Sequence, residues 1–271
     1  MKKLIILSFI FLFILACKSD DDINNTNETP VLLTKFIKND FTYNLKYDGN
    51  KLVEVTSNHN SYKKSYTYNG NLITKITQFE DYNSDGTVYE TANLVYENDR
   101  LVLITVNGTT STRDIPYTRT FRYSYPNQTT IICTKTYNYT SSVAKDELTY
   151  TISNENIVQV KDKYYTDNVF LGEITLSNSY DDKKEPYANI LGFDKIKLYN
   201  YETDKSLGGS KNNLLKVMQT NVSEINGTSK YKLEYSNSYN SNNYPIHIIE
   251  KYFYSDNEPS IYDVTSYSYN Q

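Results

Sequence analysis

The sequence predicts an all-β fold: an antiparallel meander of repeated β-hairpins, twisted and curled, with a minor helix at most. Three observations carry that reading. An aromatic residue, a turn, and aliphatic residues five and eight positions on recur along the chain. The turns are Asp-Gly, Asn-Gly or Asn/Asp-rich pairs between alternating flanks. Beyond the N-terminal apolar run, no stretch carries a convincing helical period.

Taken in order, the chain opens with Lys2 and Lys3 followed by an apolar run from Leu4 to Ala16. This is the layout of a secretory signal, and the run is too short to cross a bilayer of roughly 30 Å as a helix. Ile14-Leu15-Ala16-Cys17 resembles the lipobox of bacterial lipoproteins, which implies cleavage before Cys17 and acylation of that cysteine. An ordinary signal peptide or signal anchor with a coincidental cysteine is the alternative. Behind it, Lys18-Ser19-Asp20-Asp21-Asp22 resembles the export signal that sends lipoproteins of the Bacteroidetes lineage to the outer face of the outer membrane. A solvated linker is the other reading of those acids. The expected layout is a signal peptide over 1–16, a lipidated, flexible acidic linker over 17–31 and one β-repeat domain over 32–271. The expected location is the outer membrane, by lipid anchor, with the domain exposed at the cell surface.

The repeat reads Tyr47/Leu52/Val55, Tyr68/Ile73/Ile76 and Tyr96/Leu101/Ile104, then more loosely Tyr125/Thr130/Cys133 and Ile152/Ile157/Val160. Each unit is a hairpin, with Asp48-Gly49 and Asn69-Gly70 turning the first two through positive φ. Glu97-Asn98-Asp99 and Asn154-Glu155-Asn156 lack glycine and must place Asn or Asp in the left-handed region. Further on, Ser177-Asn178-Ser179-Tyr180 and Ser236-Asn237-Ser238-Tyr239 match, each with a proline six positions after the tyrosine. Those prolines, Pro186 and Pro245, are expected at a strand start or edge because proline cannot donate to a ladder. Between them, Ala188 to Lys211 breaks the rhythm and holds Leu207-Gly208-Gly209-Ser210, the expected place for a short helix or functional excursion. Tyr267-Ser268-Tyr269-Asn270 is the opening half of another unit.

The Tyr-Asp/Asn turn followed by spaced aliphatics is similar to the YD (Rhs-type) repeat. The segment Tyr180-Asp181-Asp182-Lys183-Lys184-Glu185-Pro186-Tyr187 resembles one that recurs in Bacteroidetes lipoproteins of unknown function. The resemblance covers most of residues 40 to 271 and implies a long hairpin meander without implying a chemistry. The glycine usual in the YD turn is missing from several units, and the large toxin-enclosing Rhs shells need far more repeats. That role is therefore not carried over.

Composition narrows the partners. Removal of the leader takes Lys2 and Lys3 away, so the formal charge moves from −4 to about −6, and no basic patch remains for phosphates. A nucleic-acid partner is not expected. With Cys17 acylated, Cys133 is the remaining thiol and no intramolecular disulfide can form; its place in a β-rich run is that of a small buried hydrophobe. The 29 tyrosines and absence of tryptophan admit a stacking surface for a glycan, a strand preference for Tyr, or an AT-rich coding bias.

Little in the chain suggests catalysis. His59 and His247 lie in different repeats, and no nucleophile elbow or Cys/His metal spacing is present. Asp81-Tyr82-Asn83-Ser84-Asp85-Gly86 matches the first half of a calcium loop, but Ala92 stands where the bidentate glutamate belongs, so a plain hairpin turn competes. No catalytic residue, metal or cofactor is expected. The leading reading is a non-enzymatic, lipid-anchored envelope protein that binds a glycan or protein through loops and exposed tyrosines. A periplasmic carrier of an apolar ligand in a curved sheet is the alternative, and a carboxylate hydrolase ranks below it.

Overall fold

In the computed structural model, the described residues are 29–58, 62–79, 88–109, 115–138, 143–203, 209–225, 227–254 and 261–270. They form sixteen strands and one helix. The first half holds β1 (Leu33–Lys38), β2 (Phe41–Asp48), β3 (Lys51–Ser57), β4 (Lys63–Asn69), β5 (Leu72–Phe79), β6 (Val88–Glu97), β7 (Arg100–Thr109) and β8 (Pro116–Ser124). The second half holds β9 (Thr130–Asn138), β10 (Val143–Ser153), β11 (Asn156–Thr166), β12 (Val169–Tyr180), helix α1 (Phe193–Thr203), β13 (Leu214–Ser223), β14 (Gly227–Tyr239), β15 (Pro245–Tyr254) and β16 (Ile261–Tyr269).

Every strand pairs antiparallel with its sequence neighbour, and β1 pairs with β16, so the sheet is a closed barrel. The all-β, hairpin-built reading holds; the open, curled meander is corrected to a closed ring. Closure satisfies the two edge strands that an open sheet would leave unpaired.

The repeat explains the register. Tyr47 faces Leu52, Tyr68 faces Ile73, and Tyr96 faces Leu101. Two residues before each tyrosine, Leu45, Tyr66 and Leu94 face Val55, Ile76 and Ile104. A step of two on one strand therefore matches a step of three on the other. The surplus residue, such as Val53 or Val102, is a β-bulge that keeps both aliphatics on the inner face. Ile152 and Ile157 repeat this shift.

Three further units have the same form although their halves are far apart or dissimilar. Tyr180 and Asn178 face Leu214 and Val217, and Tyr239 and Asn237 face Pro245 and Ile248. Tyr269 and Tyr267 on the last strand face Leu33 and Phe36 on the first. The half-unit at the C-terminus is thus completed by the start of the domain. Pro245 opens β15 as expected, whereas Pro186 lies in the excursion between β12 and β13, where a 33-residue detour replaces the hairpin turn.

The turns follow their chemistry. Asn98-Asp99, Asn154-Glu155, Asn39-Asp40 and Asp167-Asn168 each place both residues at positive φ, the two-residue hairpin geometry whose twist suits its strands. Inward positions form the core, among them Leu52, Ile73, Leu101, Ile104, Phe121 and Tyr150, all essentially without solvent contact.

Candidate functional site

The excursion between β12 and β13 folds over and into one mouth of the barrel, the end carrying the Asp48-Gly49, Asn69-Gly70, Asn98-Asp99 and Asn154-Glu155 turns. Asp181 closes its neck, accepting hydrogen bonds from the backbone N–H groups of Lys183 (2.9 Å) and Asn213 (3.2 Å) and from the Tyr239 hydroxyl. Leu191 donates its N–H to the Asn50 carbonyl at 3.0 Å, and the Asn189 amide reaches Val31 O at 2.9 Å. Gly192, at φ +79°, passes so close to the β4–β5 turn that a Cβ would sit 2.7 Å from the Asn71 carbonyl. Helix α1 then runs inside the ring. Phe193, Ile196, Leu198, Tyr199 and Tyr201 are all buried, the distribution of a helix surrounded on most sides. Phe193 packs on Tyr66, Tyr199 on Phe121 and Tyr201 on Tyr150, with ring centroids 5.6, 5.7 and 6.5 Å apart.

Two charged clusters line the lumen. In one, Glu90 accepts from Arg119, from the Tyr117 hydroxyl at 2.7 Å and from Tyr199 of the helix at 3.5 Å. In the other, Lys135 lies 3.6 Å from Asp146 and 3.5 Å from Glu202 of the helix, and Tyr150 donates to Glu202 at 2.9 Å. Burial works against the Lys135 ammonium, yet Glu202 and Tyr137 hold its pKa above the usual range. Asp162 stands near the same acids with one carboxyl oxygen buried and without a hydrogen-bond partner among the described residues. Burial first, then the charges of Asp146 and Glu202, push its pKa up to about 7.

Beside the cap, a cavity of about 230 Å³ extends down the inner wall of β12 to β16. Its floor is Glu185, Asn212 and Asn213 of the excursion, and its far end reaches Lys38 and Asp263. Four phenols face it: Tyr180, Tyr201, Tyr235 and Tyr267. Glu185 also borders a second cavity of about 150 Å³ on the other side of the cap. Enclosure raises the Glu185 pKa to about 8 against one hydrogen bond from the Tyr187 N–H, 3.0 Å.

The outer wall is of the opposite character. Mid-strand outward positions carry Lys75, Glu147, Lys161, Lys232 and Glu234, set between inward residues of the core. Outward ion pairs join Lys63 to Glu54 at 2.9 Å and Lys232 to Glu234 at 3.2 Å. A lipid-facing barrel wall needs an apolar band about 25 Å tall, and each Lys or Arg at its midplane costs about 2–4 kcal/mol. Val95, Ile132, Met218 and Val264 also stand exposed on this wall, but the charged positions among them interrupt such a band. No helix among the described residues is long and apolar enough to cross a membrane.

Of the residues singled out in the sequence, Cys17, Lys18, Ser19, Asp20, Asp21, Asp22, His59 and the Asp81–Gly86 segment lie outside the described residues. His247 faces outward, its Nδ1 3.1 Å from the Ser266 hydroxyl, away from the lumen. Cys133 is fully buried, and its thiol pKa is raised by that burial. The repeat tyrosines turn inward, so they form no outer stacking row. The excursion was legible as a break in the repeat, but the lumen charges were not singled out. Their signal was present: Lys135, Asp146 and Asp162 fall on the same alternate positions as Cys133, Leu148 and Val160.

These features define a class: a closed, sixteen-stranded antiparallel barrel with a polar outer wall, capped at one mouth by its own chain. No protein family matches the sequence, and no curated protein matches it. Among solved structures, the chain is similar to a porin-like protein from Bacteroides uniformis ATCC 8492, with TM-score 0.37 and 10% identity over 88% of this chain and 96% of that one.

Proposed function

We propose that this is a lipid-anchored protein of the outer membrane, displayed at the cell surface, whose barrel stands in water and binds a small ligand in its lumen without transforming it. The observation that carries the reading is the roughly 230 Å³ cavity between the cap and the wall of β12 to β16, inside a barrel whose outward face carries ion pairs. Concave sites of mixed lining, with a few convergent polar groups on a rigid frame, are the usual form of small-molecule sites. Tyrosines and carboxylates in the lining favour a polar ligand over the apolar one of a hydrophobic carrier. Asp146 and Glu202 of the central lumen are tied to Lys135, and Glu202 on helix α1 also to Tyr150, which supports a structural part for that pair.

Two experiments test the two halves. Replacing Cys17 with Ala is expected to abolish partitioning into the detergent phase, since acyl chains are the anchor in this reading; unchanged partitioning removes it. Replacing Asp20, Asp21 and Asp22 with Ala should keep acylation and lower protease accessibility on whole cells. For the lumen, a thermal-shift screen of polar metabolites against the wild type and Leu233→Trp, which fills the cavity, should yield ligands that stabilise the first and not the second.

A further inference from the structure

Glu250 on β15 and Asp263 on β16 are direct cross-strand partners, and both line the cavity. Like charges placed opposite each other on neighbouring strands destabilise a sheet. The Tyr235 hydroxyl is hydrogen-bonded to Glu250, and the Asn39 amide donates to Asp263 at 3.0 Å, so both acids are oriented by neutral donors. Glu185, its pKa raised to about 8 by burial, adds little charge at neutral pH, so among the described lining residues these two carboxylates face a single ammonium, that of Lys38 at the far end.

Two other features of the lining point the same way. Tyr180, Tyr201, Tyr235 and Tyr267 present aromatic rings, whose faces attract cations. Leu214, Leu233 and Ile248 supply an apolar wall beside these groups. The fold thus sets negative charge and aromatic rings around one cavity, with an aliphatic side.

We propose that the lumen cavity is a site for a small organic cation, a primary or quaternary ammonium with a compact apolar body. This rests on the lumen-binding reading above and names its ligand class. The ammonium sits between Glu250 and Asp263, relieving their repulsion, and its apolar body lies against Leu233 and Ile248 under the tyrosine rings. A net negative lining also draws cations in from solution.

The test is calorimetric titration of the full-length protein in detergent with choline and with 3,3-dimethylbutan-1-ol, which has the same shape and no charge, and with glucose as a neutral polyol. Choline is expected to bind at least tenfold more tightly than its neutral isostere. That preference should fall to within about threefold in Glu250→Gln and in Asp263→Asn, and survive in Glu250→Asp, with circular dichroism verifying the fold of each. Equal binding of choline and the alcohol, or preferential binding of glucose, overturns the cation assignment. If such neutral binding is also expelled by Leu233→Trp, the lumen-binding reading stands. Failure of all three probes, with no ligand from the metabolite screen distinguishing Leu233→Trp, removes both.

Discussion

Five of the repeat tyrosines work at both of their ends. The ring packs on the core while the hydroxyl reaches a carbonyl of the preceding unit: Tyr47 to Leu33 (2.6 Å), Tyr96 to Ile73 (2.8 Å), Tyr125 to Leu101 (2.7 Å), Tyr180 to Ile157 (2.8 Å) and Tyr269 to Pro245 (2.8 Å). The ladders between units start two residues further on, at Lys35, Lys75, Leu103, Gln159 and His247, so these carbonyls have no ladder partner there. Phenylalanine could fill the same space but would leave the carbonyl orphaned, which gives the abundance of tyrosine a physical cause here. Tyr68 and Tyr239 turn their hydroxyls to the excursion instead, to Leu191 O at 3.2 Å and to Asp181. In the two matching Ser-Asn-Ser-Tyr segments, Asn178 and Asn237 make the same bond, to Ile157 O at 2.7 Å and Leu214 O at 3.1 Å. Tyr96→Phe is expected to lower stability by about 1 kcal/mol and Leu101→Ala by about 2–5 kcal/mol in denaturant titrations. Asp162 adds a pH dependence. Its pKa is about 7 in the barrel against 3.8 ordinarily, so between those values the folded state holds a proton that the unfolded chain has lost. Stability therefore falls as pH rises through that window, and Asp146, Glu202 and Lys135 are the charges that face the group. Unfolding midpoints should be lower at pH 8 than at pH 5, and Asp162→Asn should narrow the gap by on the order of 1–2 kcal/mol.

At the scale of the element, the informative spacing is three. Leu52 and Val55, Ile73 and Ile76, and Leu101 and Ile104 are three apart and yet share the inner face, which a regular strand of period two does not allow. That conflict marked a bulge in the sequence itself, although it did not identify which residue is extruded; the pairing shows Val102 to be the surplus one in β7. Deleting Val102 should leave Leu101 and Ile104 both inward, now in a regular strand. Deleting Thr105 instead should turn Val106 outward, because a one-residue slip exchanges the faces. Soluble yield and denaturation midpoint are expected to be clearly higher for the first deletion. Helix α1 was less legible. Phe-Asp-Lys-Ile-Lys-Leu-Tyr-Asn-Tyr-Glu-Thr alternates apolar and polar residues much as a strand does, and only enclosure by the barrel buries consecutive residues from Leu198 to Tyr201.

At the scale of the molecule, the first and last strands of the barrel meet inside one repeat unit. β16 supplies the tyrosine half and β1 the aliphatic half, so the barrel is locked by the same register that builds each hairpin. The Asn270 N–H donates to the Leu32 carbonyl at 3.1 Å, and the Leu32 N–H donates back to the Asn270 side-chain Oδ1 at 2.9 Å. A permutant that joins the ends by a flexible linker and opens between Glu224 and Ile225 is expected to fold with a melting temperature within several degrees of the parent. Truncation before Ile261 should abolish cooperative unfolding by circular dichroism, because it exposes two long edges at once.

The sequence by itself determined the hairpin as the building unit, the facing of its strands and the conformation of its turns, since these depend on contacts between residues close in the chain. The half-unit at Tyr267 to Asn270 even implied that a partner strand was needed. Only the tertiary structure decided that Leu33 and Phe36 supply it, that the sheet closes at sixteen strands, and that the excursion enters the lumen. The cavity between Glu185, Glu250 and Asp263 belongs to that second group. Its walls come from segments as much as 229 residues apart, from Lys38 to Tyr267, and no local propensity encodes a contact that only ring closure creates.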